Sequence, residues 1–567
     1  MEFRSYIRTE DGWRGTPKPP VSLEQGSRPS QSLAGTGTET PIGVLRNLSI
    51  QAISDRSTVW DCLVIGGGAT GLGTAVEAAS RGLRTLLVEK TDFAKGTSSR
   101  ATKLAHGGVR YLAQGNIGLV REALRERGLM LKNAPNLAHP LKLVIPAFRT
   151  WEIPYYTIGL GVYDLMAGKL SLGRSTHLGK SATIGHLPTV EQKGLKGGIL
   201  YFDGQFDDAR LAATLALTVS DLGCTVANYV EIVGIIKKNE KVAGAILRDR
   251  ETGSEYEVSA KVVVNATGVF VDSVRKMDEP ESAKMLAVSQ GAHLVLPKKF
   301  LPGTSALMVP KTSDGRVLFG IPWHDRVIVG TTDAEVPEPV DEPRIRENEI
   351  EFIFAEAAKY LANDPTESDV LSVYAGLRPL VKPAQSGSTA AISRDHTIVT
   401  SKSGLVTITG GKWTTYRHMG EDCINRVTQV GAFKSVASRT AALPLHATTA
   451  APEVLASPEH LAVYGTDRKK IEALAASEQG LGDRLHERLP YLVAEVVWAA
   501  REEMARTVED VLNRRTRSIL LDSTAALAAA PRVAAILAKE LNHDDAWQKK
   551  QLEEFTSVAR IYQLRPS

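Results

Sequence analysis

The chain has 567 residues and a formal net charge of +4, from 68 Lys and Arg against 64 Asp and Glu. That length buries a large core and implies two or three domains, and the near balance of charge argues against a nucleic-acid partner. The three cysteines, Cys62, Cys224 and Cys423, lie far apart with no Cys-x-x-Cys pair, which argues against a disulfide framework, a zinc site or an iron–sulfur site and fits a reducing compartment. No apolar run reaches the roughly 18 residues of a membrane span, and the N-terminus shows no basic-then-apolar secretion signal, so the expectation is a cytoplasmic protein or one peripheral to a membrane.

Residues 1–56 contain Gly15-Thr16-Pro17-Lys18-Pro19-Pro20 and Ser27-Arg28-Pro29-Ser30-Gln31-Ser32 with little apolar periodicity, and read as a disordered N-terminal tail. A buried-strand pattern, Asp61-Cys62-Leu63-Val64-Ile65, then runs into Gly66-Gly67-Gly68-Ala69-Thr70-Gly71 and a helix over 71–81. Gly66 permits a tight turn, Gly68 lets the backbone approach a pyrophosphate, and Gly71 lets the helix pack close with its N-terminus aimed at the phosphates. Thr85-Leu86-Leu87-Val88 reads as the second strand, ending at Glu89 and Lys90, where a carboxylate can accept hydrogen bonds from a ribose. This order of strand, glycine turn, helix, strand and acid marks a dinucleotide site.

The next run, from Thr97 to Leu112, is dense in polar groups and glycine: Ser98, Ser99, Lys103, Leu104, His106, Gly107 and Gly108 precede Val109-Arg110-Tyr111. Its hydroxyls and amides can satisfy pyrophosphate or ring acceptors, and Gly107-Gly108 lets the chain pass close to a planar ring. His106 is placed to accept a proton beside that ring; a hydrogen-bonded structural histidine is the alternative. A helix over 211–222, a strand at 225–229 and two antiparallel-type strands at 231–238 and 242–248 lead to the buried strand Lys261-Val262-Val263-Val264-Asn265 and the turn Ala266-Thr267-Gly268. A strand returning beside the nucleotide after a β-meander resembles two-domain flavoproteins of the glutathione-reductase type, in which an Ala-Thr-Gly turn closes over FAD.

Residues 285–380 are mostly β-type, with strands expected around His293-Leu294-Val295-Leu296, 316–320 and 326–330. Tyr374-Ala375-Gly376-Leu377-Arg378-Pro379 mounts a guanidinium before a proline, suited to binding a phosphate or polarising an oxygen. Leu405 to Thr409 forms a strand, and Gly410-Gly411-Lys412-Trp413-Thr414 leads into a helix whose N-terminus carries an ammonium group. Arg394-Asp395-His396 is a further candidate, with a surface ion pair as its alternative. Beyond about 440 the composition turns to Ala, Leu, Glu and Arg with helical spacing; Leu492–Arg515 presents one apolar stripe, and Arg514-Arg515-Thr516-Arg517 reads as a solvated or salt-bridged helix end rather than a headgroup contact.

Four motifs together resemble those of the FAD-dependent, quinone-linked glycerol-3-phosphate dehydrogenases: Gly66 to Gly71; Ser98-Ser99-Arg100 through Lys103 to Leu112; Ala375 to Pro379; and Gly410 to Arg417. The likeness runs over about 57–560, with Glu502, Arg506-Thr507, Asp510 to Leu512 and Arg514 to Arg517 similar to the family's closing domain. The resemblance implies an α/β FAD-binding Rossmann-like domain with a mixed or antiparallel β-sheet substrate domain and a C-terminal all-helical domain. The FAD-binding segments are expected at about 57–115, 200–284 and 381–440, the substrate-domain segments at about 116–199 and 285–380, and the helical domain at 441–567. The implied reaction is oxidation of sn-glycerol 3-phosphate to dihydroxyacetone phosphate, with electrons passed to a membrane quinone. A related oxidase acting on glycerol 3-phosphate, an amine or an amino acid with oxygen as acceptor is the alternative.

Carried over residue by residue, the resemblance gives Arg378 the substrate alkoxide, Arg110, Lys412 and Arg394 the phosphate, and Tyr111 a hydrogen bond. His106 is the first choice for the base, and His293 the alternative. FAD falls to Gly66, Gly67, Gly68, Ala69, Thr70, Gly71, Glu89, Lys90, Ser98, Ser99, Lys103, Leu104, His106, Gly107, Gly108, Ala266, Thr267, Gly268, Gly411, Lys412 and Thr414, with no metal. Peripheral contact with the inner face of the cell membrane and a homodimer are compatible with this reading.

Overall fold

The computed structural model describes residues 8–9, 12–13, 44–109, 115–382 and 396–565. Arg110, Tyr111 and Arg394 lie outside them, as does most of the segment read as a tail. The end of that segment is ordered: Val44–Ser54 is a helix whose Ile53 is buried against Trp60 and Leu63, with Arg46 paired to Asp249 at 2.6 Å. Ile50 and Ile53, three apart, put two apolar side chains on one helical face, a local signal that the Pro- and Ser-rich stretch before it obscures.

The first strand, Val59–Ile65, is buried along most of its length and sits inside a sheet that comprises eight strands among the described residues. It pairs in parallel with Thr85–Val88 on one side and with Glu255–Asn265 on the other, so Ile65 lies opposite Val88 and Asn265. Val406–Gly410 adds in parallel to Glu255–Asn265, with Asn265 opposite Thr407. Parallel pairing in this register brings four strand ends to one edge: Gly66, Glu89, Ala266 and Gly410. That edge is where open α/β sheets bind ligands. The helix Ala69–Ser80 packs against Tyr416–Val430, and Gly73 and Gly420 make the contact close, since a Cβ on either would strike the other helix's backbone.

The second sheet, ten strands among the described residues, is mostly antiparallel, with one parallel pair where Ala306–Val309 meets Ala138–Ala147. Gly197–Phe206 pairs along its length with Ala138–Ala147, so the chain passes between the sheets at Asp207 and Asp208, not near 200 as the sequence suggested. Among the described residues Ser372–Val381 pairs only with Leu286–Pro297 and forms an edge, which is why Pro379 is tolerated within it.

The C-terminal helices do not form a separate core. Val496, Leu512, Ile519 and Val533 share one apolar cluster with Leu143, Tyr201, Val295 and Ile328 of the second sheet. The single stripe expected over 492–515 is broken: Val493–Glu502 ends, Met504 takes a left-handed φ of 57°, and a π-helical turn occupies Asp510–Arg515. Buried polar bonds explain the break. Glu503 receives both terminal nitrogens of Arg210 at 2.7 Å, and Asp510 accepts the Arg506 and Thr507 N–H groups at 2.8 and 3.0 Å. These bonds outweigh the continuity that apolar spacing favours.

Candidate active site

At the edge where the strand ends meet lies a cavity of about 320 Å³. Gly66, Gly68, Ala69 and Thr70 line it at the glycine turn; Glu89, Lys90 and Thr91 at the second strand; Ala266, Thr267 and Gly268 at the returning strand; and Gly410, Gly411, Lys412 and Trp413 at the last. The turn is built from backbone constraints. Gly66 has φ +110° and passes so close to Ala266 that a Cβ would touch its carbonyl, and a Cβ on Gly71 would overlap the Gly66 carbonyl oxygen. The helix that follows has no side-chain cap at Gly68. Glu89 Oε2 accepts the Gly67 N–H at 2.7 Å and Oε1 accepts the Thr91 N–H at 3.0 Å, so the carboxylate is fixed at the cavity wall.

The loop after Thr97 closes the cavity and is held from four directions. Ser98 Oγ accepts the Ala69 N–H at 2.9 Å, Trp413 Nε1 donates to the Ser98 carbonyl at 2.8 Å, and Thr97 Oγ1 donates to the Leu377 carbonyl at 2.6 Å. Arg517 donates to the Ser99 carbonyl at 2.9 Å. Lys103 is fully buried, with left-handed φ; its Nζ donates to the Ser99 carbonyl and to Asp208 at 2.9 and 2.7 Å, and it lies over the rings of Trp323 and Tyr374. Burial pulls Lys103 down to about 8, against the attraction of Asp208.

Several residues expected to face a cofactor therefore do something else. Lys103 ties the loop to the helix Asp208–Asp221, and Leu104 pairs with Gln205 in the second sheet. Gly107 lies under Tyr163, whose hydroxyl accepts its N–H at 2.9 Å. Gly67, Gly71, Ser99, His106, Gly108 and Thr414 also lie off the cavity wall. The helix after Gly411 starts only at Tyr416, because a 3-10 turn, Trp413–Thr415, intervenes and turns Trp413 toward the loop.

A second cluster flanks this cavity. Leu377 and Pro379 line the cavity, and Arg378 between them projects from the opposite face of the edge strand. Its guanidinium crosses over Gly291, where a Cβ would overlap it, and donates to Asp333 at 3.2 Å and to Thr331 Oγ1 at 3.0 Å. Ser289 also donates to Asp333. His293, two residues beyond Gly291, is buried, stacks on Tyr374 with centroids 4.6 Å apart, and meets Thr102 Oγ1 at 2.9 Å through Nε2. Burial, with the Arg378 and Lys103 charges beside it, holds His293 well below the ordinary imidazole range, so the ring is neutral at physiological pH. Thus Arg378 and His293 come together, and Leu377 joins them to the cavity where Lys412 stands.

Sequence reasoning overlooked Gly291, Thr102, Asp333 and Lys95, the last a cavity-wall residue paired with Glu342 and Glu509. A lone glycine inside a strand two residues before a histidine was the available signal for Gly291, since such glycines mark close approach. Thr102, Asp333 and Lys95 meet their partners only through the fold.

A sequence profile described as "FAD dependent oxidoreductase" matches residues 61–417, and one described as "C-terminal domain of alpha-glycerophosphate oxidase" matches residues 420–548. Together with the sheet and its cavity they define an FAD-dependent oxidoreductase. The chain is 42% identical over 547 residues to the mitochondrial glycerol-3-phosphate dehydrogenase of Homo sapiens, across 91% of this chain and 74% of that one. The Arabidopsis thaliana mitochondrial glycerol-3-phosphate dehydrogenase is 41% identical over 540 residues, across 87% and 85%. A solved glycerol-3-phosphate dehydrogenase from Bacillus halodurans complexed with FAD superposes with a TM-score of 0.75 at 28% identity, covering 92% of this chain and 98% of that one. The chain belongs to the glycerol-3-phosphate dehydrogenase family of FAD-dependent oxidoreductases. Its residues fit that cofactor: the glycine turn and the helix N-terminus beyond Gly68 suit a pyrophosphate, Glu89 suits a ribose, and a Cβ at Gly268 would stand in open space at the cavity.

Proposed function

We propose that this protein oxidises sn-glycerol 3-phosphate to dihydroxyacetone phosphate and delivers the electrons to a quinone, lying peripherally on the inner face of the cell membrane. The observation that carries the reading is that Arg378, on the strand whose Leu377 and Pro379 line the dinucleotide cavity, lies near enough to buried His293 on the neighbouring strand for its charge to help keep that ring neutral. Oxidation of a secondary alcohol removes a hydride from carbon 2 and a proton from its hydroxyl. FAD, when bound, supplies the hydride acceptor. The other requirements fall on side chains. Arg378 orients the hydroxyl oxygen and balances the charge that develops on it. His293 takes the proton at Nε2 by way of the Thr102 hydroxyl; its neutrality leaves that nitrogen able to accept. His106 is the alternative base. Lys412 serves the phosphate, with Arg110 and Arg394 assigned to the same group by resemblance. Gly66, Gly68, Glu89, Ser98 and Gly268 hold the cofactor.

No helix of the described residues is long and apolar enough to cross a membrane. Anaerobic mixing of the purified flavoprotein with glycerol 3-phosphate should bleach the flavin absorbance, and reoxidation by a soluble quinone analogue should outpace peroxide release in air. Bound flavin that does not bleach refutes the substrate, and dominant peroxide formation refutes the quinone in favour of an oxidase.

A further inference from the structure

We propose that the outer face of the helix Glu152–Ala167, with the basic residues at its two ends, is the surface on which the protein rests against an anionic phospholipid bilayer. The assignment rests on the reading of a membrane quinone as electron acceptor and names the contact that reading requires.

The helix is apolar nearly all round. Its inner side buries Leu160 and Tyr163. Its outer side should then carry charge, as surface helices do. Instead Trp151, Tyr155, Ile158, Val162 and Leu165 follow one another at steps of four and three, one stripe along the helix, with Trp151 54%, Ile158 69% and Leu165 82% exposed. Contiguous apolar surface of this kind marks an interaction site.

Charge selects the occupant. From 142 to 190 the charged residues are Lys142, Arg149, Glu152, Asp164, Lys169, Arg174 and Lys180. The two acids are turned to the backbone: Glu152 accepts the Phe148 and Arg149 N–H groups at 2.9 and 3.0 Å, and Asp164 accepts the Ser175 N–H at 2.5 Å. The five basic residues are all exposed. With Arg149 before the helix and Lys169 and Arg174 after it, both ends of the stripe carry basic charge, and a second copy laid face to face would bring like charges together. The same arrangement attracts anionic headgroups while the stripe enters the acyl boundary. Trp151 and Tyr155 at one end are the residue types that settle at that depth.

The inner side of the helix reaches the loop that carries His106. The Tyr163 hydroxyl accepts the Gly107 N–H and donates to Asp203 at 2.8 Å, and Arg127 pairs with the same carboxylate. A lipid-soluble acceptor held at the outer face is thus separated from the loop beside His106 by one helix width, about 10 Å.

The test uses the FAD-loaded enzyme and sedimentation with vesicles of phosphatidylcholine, with and without phosphatidylglycerol. The double substitution Ile158→Glu with Leu165→Glu should weaken binding to the anionic vesicles by about tenfold or more. Lys169→Glu with Arg174→Glu should remove the preference for phosphatidylglycerol, and both proteins should still bleach with glycerol 3-phosphate as the parent does. If the apolar variant sediments like the parent, or if light scattering shows a parent dimer that this variant splits, the lipid assignment is overturned while the reaction stands. If the parent protein fails to bleach, the reaction is overturned and vesicle binding still decides the surface.

Discussion

Arginines stand in two contrasting settings in this protein. Arg514, Arg515 and Arg517 are at most 2% exposed and surrounded by acceptors. Arg514 reaches Asp92, Glu509 and Asp510 within 2.7 Å, Arg515 takes both oxygens of Asp92 at 2.8 Å, and Arg517 reaches Asp208 and the Ser99 carbonyl. Arg378 has a side chain 29% exposed, and its carboxylate partner Asp333 is equally open. The difference shows what an arginine does here: where acceptors enclose the guanidinium it locks the C-terminal helices onto the cofactor loop, and where solvent reaches it an incoming oxygen can compete for its N–H groups. The membrane-headgroup alternative for the C-terminal cluster fails for the same reason, since no part of it faces outward.

The buried group gives the largest effect. Burial pushes the Asp92 carboxyl up, yet Arg515 and Arg514 outweigh burial and hold it below the usual carboxylate range. Asp92→Asn keeps the shape and removes the charge that two buried guanidiniums share, so stability should fall by about 3–5 kcal/mol. The urea midpoint should drop accordingly, with kcat of the folded fraction little changed. Arg378→Ala should do the reverse: kcat/KM falls by about a thousandfold, about 4 kcal/mol of transition-state stabilisation, with flavin content and midpoint retained. Equal losses of midpoint in the two variants would erase the distinction between them.

The contrast sharpens at Gly291, which makes no polar contact through a side chain and still governs Arg378. A Cβ there would overlap the guanidinium, and the backbone on both sides is paired in the sheet, so the arginine and not the strand must give way. Gly291→Ala should cost about ten- to a hundredfold in kcat/KM, mostly in kcat, since a displacement near 1 Å at a positioning group has that effect. Gly315→Ala is the control, because its Cβ meets nothing within 4 Å, although its φ of +81° carries a backbone strain that the midpoint will register.

What the sequence made legible follows the same division. The dinucleotide edge was readable because its parts are local: Gly66 to Gly71 is one turn, Glu89 ends the next strand, and the strand ending at Asn265 carries its own glycine turn. Each is set by backbone geometry that few residue types satisfy. The second sheet was readable in its strands but not in its reach, since only pairing with Ala138–Ala147 keeps Gly197–Phe206 in that layer. The polar run after Thr97 announced chemistry yet misassigned Lys103, because nothing local shows that Asp208 and Trp323 enclose its ammonium. Arg514 to Arg517 looked like a helix end for the same reason, their carboxylates being supplied by Asp92 and Asp208 from the other end of the chain.

A buried cation of a third kind gives the smallest effect. His324 sits in the turn between two strands of the second sheet, with a side chain 5% exposed, 3.2 Å from Glu459 of the helical region and 3.5 Å from Asp207 at the start of the helix Asp208–Asp221. Burial pulls its pKa down, but Glu459 and Asp207 outweigh burial and raise it to about 9. A folded-state pKa above the unfolded value of about 6.5 means that the native protein holds the proton more tightly, so the stabilisation is complete below pH 6.5 and is lost as pH rises through about 9. Glu459 is half exposed, and screening there reduces the gain to about 2 kcal/mol. The midpoint difference between the parent and His324→Gln should therefore be full at pH 6, shrink through pH 9 and be small at pH 10. A difference that grows with pH instead would mean that the ring packs as a neutral group against Trp323, and that enclosure by acceptors does not by itself identify a structural cation in this fold.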